Sequence, residues 1–389
     1  MVAPAPPDPA AIPLGVYVHV PFCLKKCPYC DFNSHARTGT LPEAAYRDAV
    51  LAELAERATE AGGRRVTSVF FGGGTPSLLS PRFFAAVLRE LDQQLGLVPD
   101  CEITVEANPG ASEAAAFAGF GAAGINRLSL GVQSLDDESL ARLGRIHSAA
   151  EARTAVEKAR RAGFDDLNLD LMFGLPEQSP EAARADLDAL LALDPEHMAL
   201  YQLTLEPGTA FWAQPPTLPD EDSRADTEEA LRARLAEAGF AHYEVSNHAR
   251  PGYQCRHNRG YWTFGDYLGL GAGAHAKLSG PGGIERTRAY AGPEAYMAAA
   301  NEGDPIAERQ TLDADEAAGE FALNAFRLRE PIPLTLFTER TGLDPSALDA
   351  PRRRAEALGL LEARADDLVV TDRGRAFLDD LVALFLGGD

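Results

Sequence analysis

The chain has 389 residues and a formal charge of −22, long enough for one large domain with a smaller one beside it. That charge opposes binding to phosphate backbones, which proteins grip with Lys and Arg, and no long basic run offsets it, so no nucleic-acid partner is expected. Five cysteines, three of them in one cluster, do not describe a disulfide scaffold, and no apolar run approaches the roughly 20 residues of a membrane span, so a reducing, cytoplasmic setting is expected.

Met1 to Pro13 is rich in Pro and Ala and lacks both basic residues and the apolar core of a signal peptide, which reads as a short disordered tail, 1–13. Leu14 to Val20 follows as an apolar strand. It runs into a loop carrying Cys23, Cys27 and Cys30 in a C-x-x-x-C-x-x-C run stiffened by Pro21 and Pro28. Fe–S clusters are usually held by four thiolates, so a cubane held by three would keep one iron open to a small molecule. A zinc site completed by His19 or His35, and buried inert cysteines, are the alternatives.

Further short apolar segments at Val66 to Phe71, Glu102 to Glu106, Arg127 to Gly131, Asp166 to Leu171 and His197 to Leu203 alternate with helical patterns. The helical stretches are Pro42 to Ala61, Pro81 to Leu95, Ser112 to Ala123, Asp136 to Leu143, Ala149 to Ala162 and Pro180 to Leu193, with Ser112 as an N-cap. Strand-then-helix units of this kind give parallel strands joined by right-handed crossovers. Polar or Gly-rich motifs follow several successive strands, as in barrels that build a site from many strand ends. The expected fold is therefore α/β, a six-stranded partial barrel.

After Val69-Phe70-Phe71 comes Gly72-Gly73-Gly74-Thr75-Pro76, where backbone can approach a ligand that a side chain would obstruct. The loop has neither the Lys-Ser/Thr ending of a P-loop nor a G-x-G-x-x-G pattern, which excludes nucleoside triphosphate. It suits amides offered to a carboxylate or carbonyls offered to an amine, and a plain βα turn is the other reading. Glu106, Gln133, Arg145 and Asp170 lie at or just beyond strand ends, placed to fix a ribose, a carboxylate and an ammonium. Asp170 is the most informative of these, because a carboxylate inside Leu167-Asn168-Leu169-Asp170-Leu171 is costly to bury without a partner.

From about Pro215 the pattern loosens. A helix at Ser223 to Ala238 precedes a Gly- and aromatic-rich stretch, Tyr243 to Gly273, containing Cys255-Arg256-His257-Asn258-Arg259-Gly260-Tyr261-Trp262. His257 there is either a haem ligand or a hydrogen-bonded member of an aromatic loop packed over the barrel mouth. The last segment opens with Asp313 to Glu320, carboxylates suited to a helix N-terminus. Helices at Leu334 to Thr341 and Ala347 to Leu358, a two-stranded ribbon and a last helix then suggest a small winged-helix-like α+β domain, for which the fold alone does not imply DNA binding.

Together these motifs resemble the radical S-adenosylmethionine superfamily, in the branch that contains oxygen-independent coproporphyrinogen III oxidase and the HemW haem chaperones. The lead Tyr17-x-His19-x-Pro21-Phe22-Cys23, the GGGTP loop, Gly131-Val132-Gln133-Ser134 and Asp170-Leu171-Met172-Phe173-Gly174-Leu175-Pro176 carry the resemblance. It implies a partial (β/α)6 TIM-like barrel over 14–215, a barrel extension with the haem-binding segment over 216–304, and a HemN-type C-terminal winged-helix-like domain over 305–389. It implies that Cys23, Cys27 and Cys30 ligate a [4Fe-4S] cluster and that Tyr17, Gly73, Gly74, Thr75, Glu106, Gln133, Arg145 and Asp170 hold S-adenosylmethionine. His257, Asn258, Tyr261 and Trp262 match an H-N-x-x-Y-W signature and would contact haem. The oxidases carry another cysteine two residues beyond the motif, where this chain has Phe32, and a longer N-terminal segment. Both departures favour a haem chaperone, with a haem-accepting protein as partner, over a porphyrinogen decarboxylase. A peripheral membrane contact, which no amphipathic basic helix supports, and a homodimer are left open by the resemblance.

Overall fold

In a computed structural model the described residues, 7–110 and 114–386, form one large twisted sheet wrapped by helices and a smaller C-terminal unit. Twelve strands make the sheet: β1 (Leu14–Val20), β2 (Val66–Gly73), β3 (Leu97–Ala107), β4 (Arg127–Gln133), β5 (Leu167–Phe173), β6 (His197–Gln202), β7 (Ala241–His242), β8 (Asn247–Ala249), β9 (Asp266–Leu270), β10 (His275–Gly280), β11 (Gly283–Ala289) and β12 (Ile306–Thr311). Their order is β12-β11-β10-β9-β1-β2-β3-β4-β5-β6-β8-β7. The six expected strands, β1 to β6, lie side by side and parallel, as an open partial barrel requires.

The sheet extends further than the sequence pattern indicated. β9 pairs parallel with β1, Leu14 opposite Asp266 and Val18 opposite Leu270, and adds a seventh parallel strand from the Gly-rich stretch. Antiparallel arms β10 to β12 and β8 to β7 extend the two edges. β12 ends at Thr311, so the sheet crosses the expected boundary at 305. The expected tail is also too long at its inner end. Pro9–Ala11 form a 3-10 turn capped by Asp8, and Ile12 is buried.

β1 alternates: Leu14, Val16, Val18 and Val20, two residues apart and so on one face, are all buried, while Tyr17 between them borders the barrel interior. The helix Pro81–Gln94 buries Phe83, Phe84, Val87, Leu88 and Leu91, one stripe of a 3.6-residue repeat. Each buried Phe or Leu contributes about 1.5–3 kcal/mol. Ala149–Arg161 opens on a reciprocal Ser148/Glu151 capping box. The cap expected at Ser112 lies outside the described residues, and the helix it was to open runs over Phe117–Ala123.

The C-terminal unit packs helices Ala314–Ala325, Leu334–Thr341 and Asp349–Ala357 around Phe321, Phe326, Phe337 and Phe385. Its ribbon, Leu361–Glu362 with Asp367–Val370, gains a third short strand, Ile332–Pro333. Phe264 and Ile284 from the sheet side enter the same core, so the two units share buried surface. Beneath this junction Asp266 accepts from Lys277 Nζ at 2.9 Å, Arg64 Nη1 at 2.6 Å and Ser279 N at 2.8 Å, which pairs a buried carboxylate with two buried cations. No helix among the described residues is long and apolar enough to cross a membrane.

Candidate functional site

At the C-terminal ends of β1 to β6 a cavity of about 440 Å³ opens. Its lining includes Cys23, Cys27 and Cys30 together with Gly73, Gly74, Thr75, Glu106, Gln133, Arg145 and Asp170. The cysteine loop is fixed by its own backbone: Phe22–Cys23 pairs with His35–Ala36, Arg37 N donates to Cys23 O at 2.9 Å, and Lys26 Nζ donates to Phe32 O at 2.9 Å. Each sulfur has a polar neighbour. Thr75 Oγ1 donates to Cys23 Sγ at 3.5 Å, Arg145 Nη1 to Cys27 Sγ at 3.7 Å, and Ser34 Oγ lies 3.7 Å from Cys30 Sγ.

The glycine loop acts as a clamp on this segment. Gly74 N donates to Val20 O at 2.7 Å, Thr75 N to Phe22 O at 2.8 Å and Gly73 N to Glu106 Oε2 at 3.1 Å. With those amides engaged, what the loop retains for a ligand is carbonyl oxygen, which suits an ammonium better than a carboxylate. A Cβ on Gly74 would sit 2.6 Å from Phe22 O, and one on Gly73, whose φ is +110°, would sit 2.4 Å from His19 Cε1. Both positions therefore require glycine.

Across the cavity Glu106 and Asp170 face the same space. Burial and the charge of Asp170 push Glu106 up to about 8, and burial raises Asp170 to about 6 although Asn168 Nδ2 donates to it at 2.6 Å. Gln133 ends β4 at φ +70°, in the left-handed region, after a register shift beginning at Leu130, and its Oε1 accepts from Tyr201 OH at 2.5 Å. Such strain at a strand end marks a side chain aimed for a purpose. Arg145 is held by Asn108 Oδ1 at 2.5 Å and Gly131 O at 2.7 Å.

Tyr17 does not line this cavity. Its hydroxyl is 2.9 Å from His19 Nδ1, and His19 Nε2 is 2.8 Å from Asn33 O. It faces instead an adjoining space inside the barrel, whose wall of Glu106, Ser129 and Asp170 is shared with the first cavity. His19 and His35 are both engaged with Asn33. Among the described residues no three His, Cys, Asp or Glu are placed to hold one metal ion. Three thiolates suit a cluster, where each binds its own iron, whereas structural zinc wants four closed ligands.

The segment with His257 is a helix, Arg256–Trp262, not a loop over the mouth. It packs at the N-terminal ends of the strands, beside Gly15 and Ser68, and so floors the barrel. Glu102 caps it from β3, accepting from Arg256 N at 2.8 Å, His257 N at 3.0 Å and Cys255 Sγ at 3.4 Å. His257 is buried, with Nδ1 2.9 Å from Ser68 Oγ, Nε2 2.8 Å from Tyr261 OH and its ring stacked on Phe70. Burial and the nearby Arg127 charge lower its imidazole to about 3, so it is neutral. His257 and Asn258 face the barrel interior. Trp262 instead lies under the Arg327 guanidinium, 4.5 Å from its ring centroid, against the C-terminal unit, so the four motif residues do not share one cavity.

The sequence family described as the radical SAM superfamily matches residues 17–190, and the HemN C-terminal domain matches 312–377. The chain is 44% identical to the protein named heme chaperone HemW of Escherichia coli (strain K12), over 96% of this chain and 98% of that one. It is 43% identical to the heme chaperone HemW of Haemophilus influenzae, over 97% and 99%. The chain belongs to the HemW family.

Membership of the radical SAM superfamily implies a [4Fe-4S] cluster and S-adenosylmethionine. The solved structure described as coproporphyrinogen III oxidase (HemN) from Escherichia coli superposes with a TM-score of 0.83 at 24% identity, covering 97% of this chain and 91% of that one, a likeness of fold. Three parts of the candidate site carry no motif: Asn108, which bonds Arg145 and Thr75; Tyr201, which bonds Gln133; and Glu102, which caps the floor helix. Asn108 lies two residues beyond the expected strand Glu102 to Glu106, and that position at a strand end is the available signal. Tyr201 and Glu102 act across the fold and carry no local signal.

Proposed function

We propose that the chain is a haem chaperone: it holds a [4Fe-4S] cluster on Cys23, Cys27 and Cys30, S-adenosylmethionine in the adjoining cavity and haem at the floor helix, and passes the haem to an acceptor protein. The observation that carries this reading is identity of 44% over nearly the whole length with a protein named heme chaperone. The donor set of the upper cavity supports the first two ligands. Three thiolates with hydrogen-bonding neighbours suit an iron cluster with one iron left open. Carbonyls of the glycine loop and the carboxylates of Glu106 and Asp170 suit an ammonium and ribose hydroxyls, and Arg145 suits a carboxylate. S-adenosylmethionine bound there would supply a sulfonium open to reduction, and Glu106, Asp170 and Arg145 would orient it.

For haem, a cavity of about 510 Å³ below the floor helix is lined by His257, Tyr261, Tyr267, Arg256 and Arg259. Aromatic walls with guanidinium groups suit a flat apolar ring bearing carboxylates. A neutral imidazole is the form that binds iron, but both His257 nitrogens are engaged, so it reaches iron only if the Tyr261 or the Ser68 bond opens.

Anaerobic absorption spectra of cluster-loaded protein with and without haem test the reading, followed by mixing with apo-haemoproteins. A saturable Soret band that moves to an acceptor is expected. Conversion of coproporphyrinogen III to a vinyl product under reducing conditions would favour the decarboxylase instead.

A further inference from the structure

Arg127 begins β4 and is buried, yet among the described residues its guanidinium makes no hydrogen bond. Among the described residues Asp166 Oδ1, at 3.4 Å from Nε, is the one carboxylate within ion-pair distance, in an alignment too poor for a hydrogen bond, and the Glu102 charge acts on it from further off. A buried guanidinium with unused N–H groups is costly. Beside it lies the barrel-interior cavity of about 240 Å³, bounded also by Tyr17, Ser129, Asn168, Ala199 and Asn258. That space is several times the roughly 30 Å³ share of a water molecule.

We propose that the barrel interior is a second binding site, for a small carboxylate-bearing molecule seated on Arg127. A planar guanidinium with free N–H groups matches a carboxylate in bidentate fashion. Its polarity fixes which way the molecule lies. Arg127 pairs with Thr104 in the sheet, two residues below the Glu106–Ser129 pair, about 7 Å along the strands. The acidic wall of Glu106 and Asp170 shared with the upper cavity therefore faces the other end of the molecule, beside the cofactor space. Neighbouring side chains leave the guanidinium available: Asn168 Nδ2 is spent on Ser129 Oγ and Asp170, and the His197 nitrogens on Asn168 and Tyr243. The site does not depend on where haem binds.

Cluster-loaded full-length protein is titrated with carboxyl-13C propionate and, in parallel, with propionamide, following the 13C resonance and the unfolding midpoint. Saturable propionate binding at least tenfold tighter than the amide is expected, lost in Arg127→Gln and weakened at least tenfold in Ala199→Leu, which fills the cavity and keeps Arg127. Should Arg127→Gln fail to fold, Ala199→Leu decides. Propionate and propionamide binding alike, an absence of saturation, or full binding in Ala199→Leu would overturn the proposal. Displacement of propionate by haem but not by haem dimethyl ester would identify the carboxylate as an arm of a larger ligand, and displacement by neither would identify a free small acid.

Discussion

Tyr261 OH lies 2.8 Å from His257 Nε2 and closes the one edge of the imidazole that Ser68 leaves unoccupied. Tyr261→Phe removes that occupant for about 1 kcal/mol of stability. If His257 binds iron, the variant takes up haem more tightly, by roughly tenfold for each 1.4 kcal/mol no longer spent opening the bond, and Tyr261→Phe with His257→Ala loses the gain. A haem titration monitored at the Soret band checks this, and identical affinities in all three proteins would remove His257 from the haem site.

Gly74→Ala places a methyl 2.6 Å from Phe22 O and 3.1 Å from Cys23 Sγ. The clamp on the cysteine loop must open to admit it, at about 1–3 kcal/mol. Iron and sulfide content should fall steeply while far-ultraviolet circular dichroism stays that of the parent. A full cluster in this variant would mean that the close approach of the two loops is dispensable.

Thr75→Val removes the hydroxyl that donates to Cys23 Sγ and accepts from Asn108 Nδ2. Hydrogen bonds to sulfur favour the more negative, reduced cluster. Losing about 1 kcal/mol of that preference shifts a one-electron couple by ~40 mV toward more negative potential. Anaerobic redox titration followed by electron paramagnetic resonance measures the shift, and a more positive potential would contradict it.

Glu106 at about 8 and Asp170 at about 6 stand above their ordinary values of 4.5 and 3.8. The folded state thus keeps protons that the unfolded chain releases, so stability falls as pH rises through that interval. Bound S-adenosylmethionine, a cation, favours the ionised carboxylates and works in the opposite direction. The melting temperature of the cofactor-free protein should decline from about pH 5 to about pH 8, and the increment from added S-adenosylmethionine should grow across the same range. Glu106→Gln should flatten the upper part of both profiles, which differential scanning fluorimetry would show.

Much of this architecture could be read before any coordinates. Leu14 to Val20, the three cysteines and the glycine run are local signals: β-branched apolar residues, thiols at short spacing, and backbone that must approach closely. What escaped was decided at a distance. Arg256 to Trp262 carries a glycine and three aromatic residues and reads as a loop, yet it is helical because Glu102, on a strand more than a hundred residues earlier, satisfies its first amides. Asp266–Leu270 is short and Gly-containing, and only pairing with β1 makes it a strand. Tyr17 matched a motif, but its direction is set by His19 and Phe70, and it turns into the barrel interior. Arg127 reads as an ordinary first residue of a strand, since nothing in its neighbours announces a guanidinium left without hydrogen bonds.

The strand that leads into the cysteine loop acquires its outer neighbour very late in synthesis. β1 keeps one edge open until Asp266 to Leu270 have left the ribosome, and the cysteine loop gains its last ties when Asn33 can donate to Ala272 O and Ala291 O, each at 3.0 Å. Contacts so far apart along the chain are slow to form, and bare strand edges recruit other chains. A nascent chain stalled before residue 266 would thus expose an adhesive edge beside three unprotected thiols, and maturation of the iron site is expected to follow completion of the barrel rather than accompany emergence of its ligands.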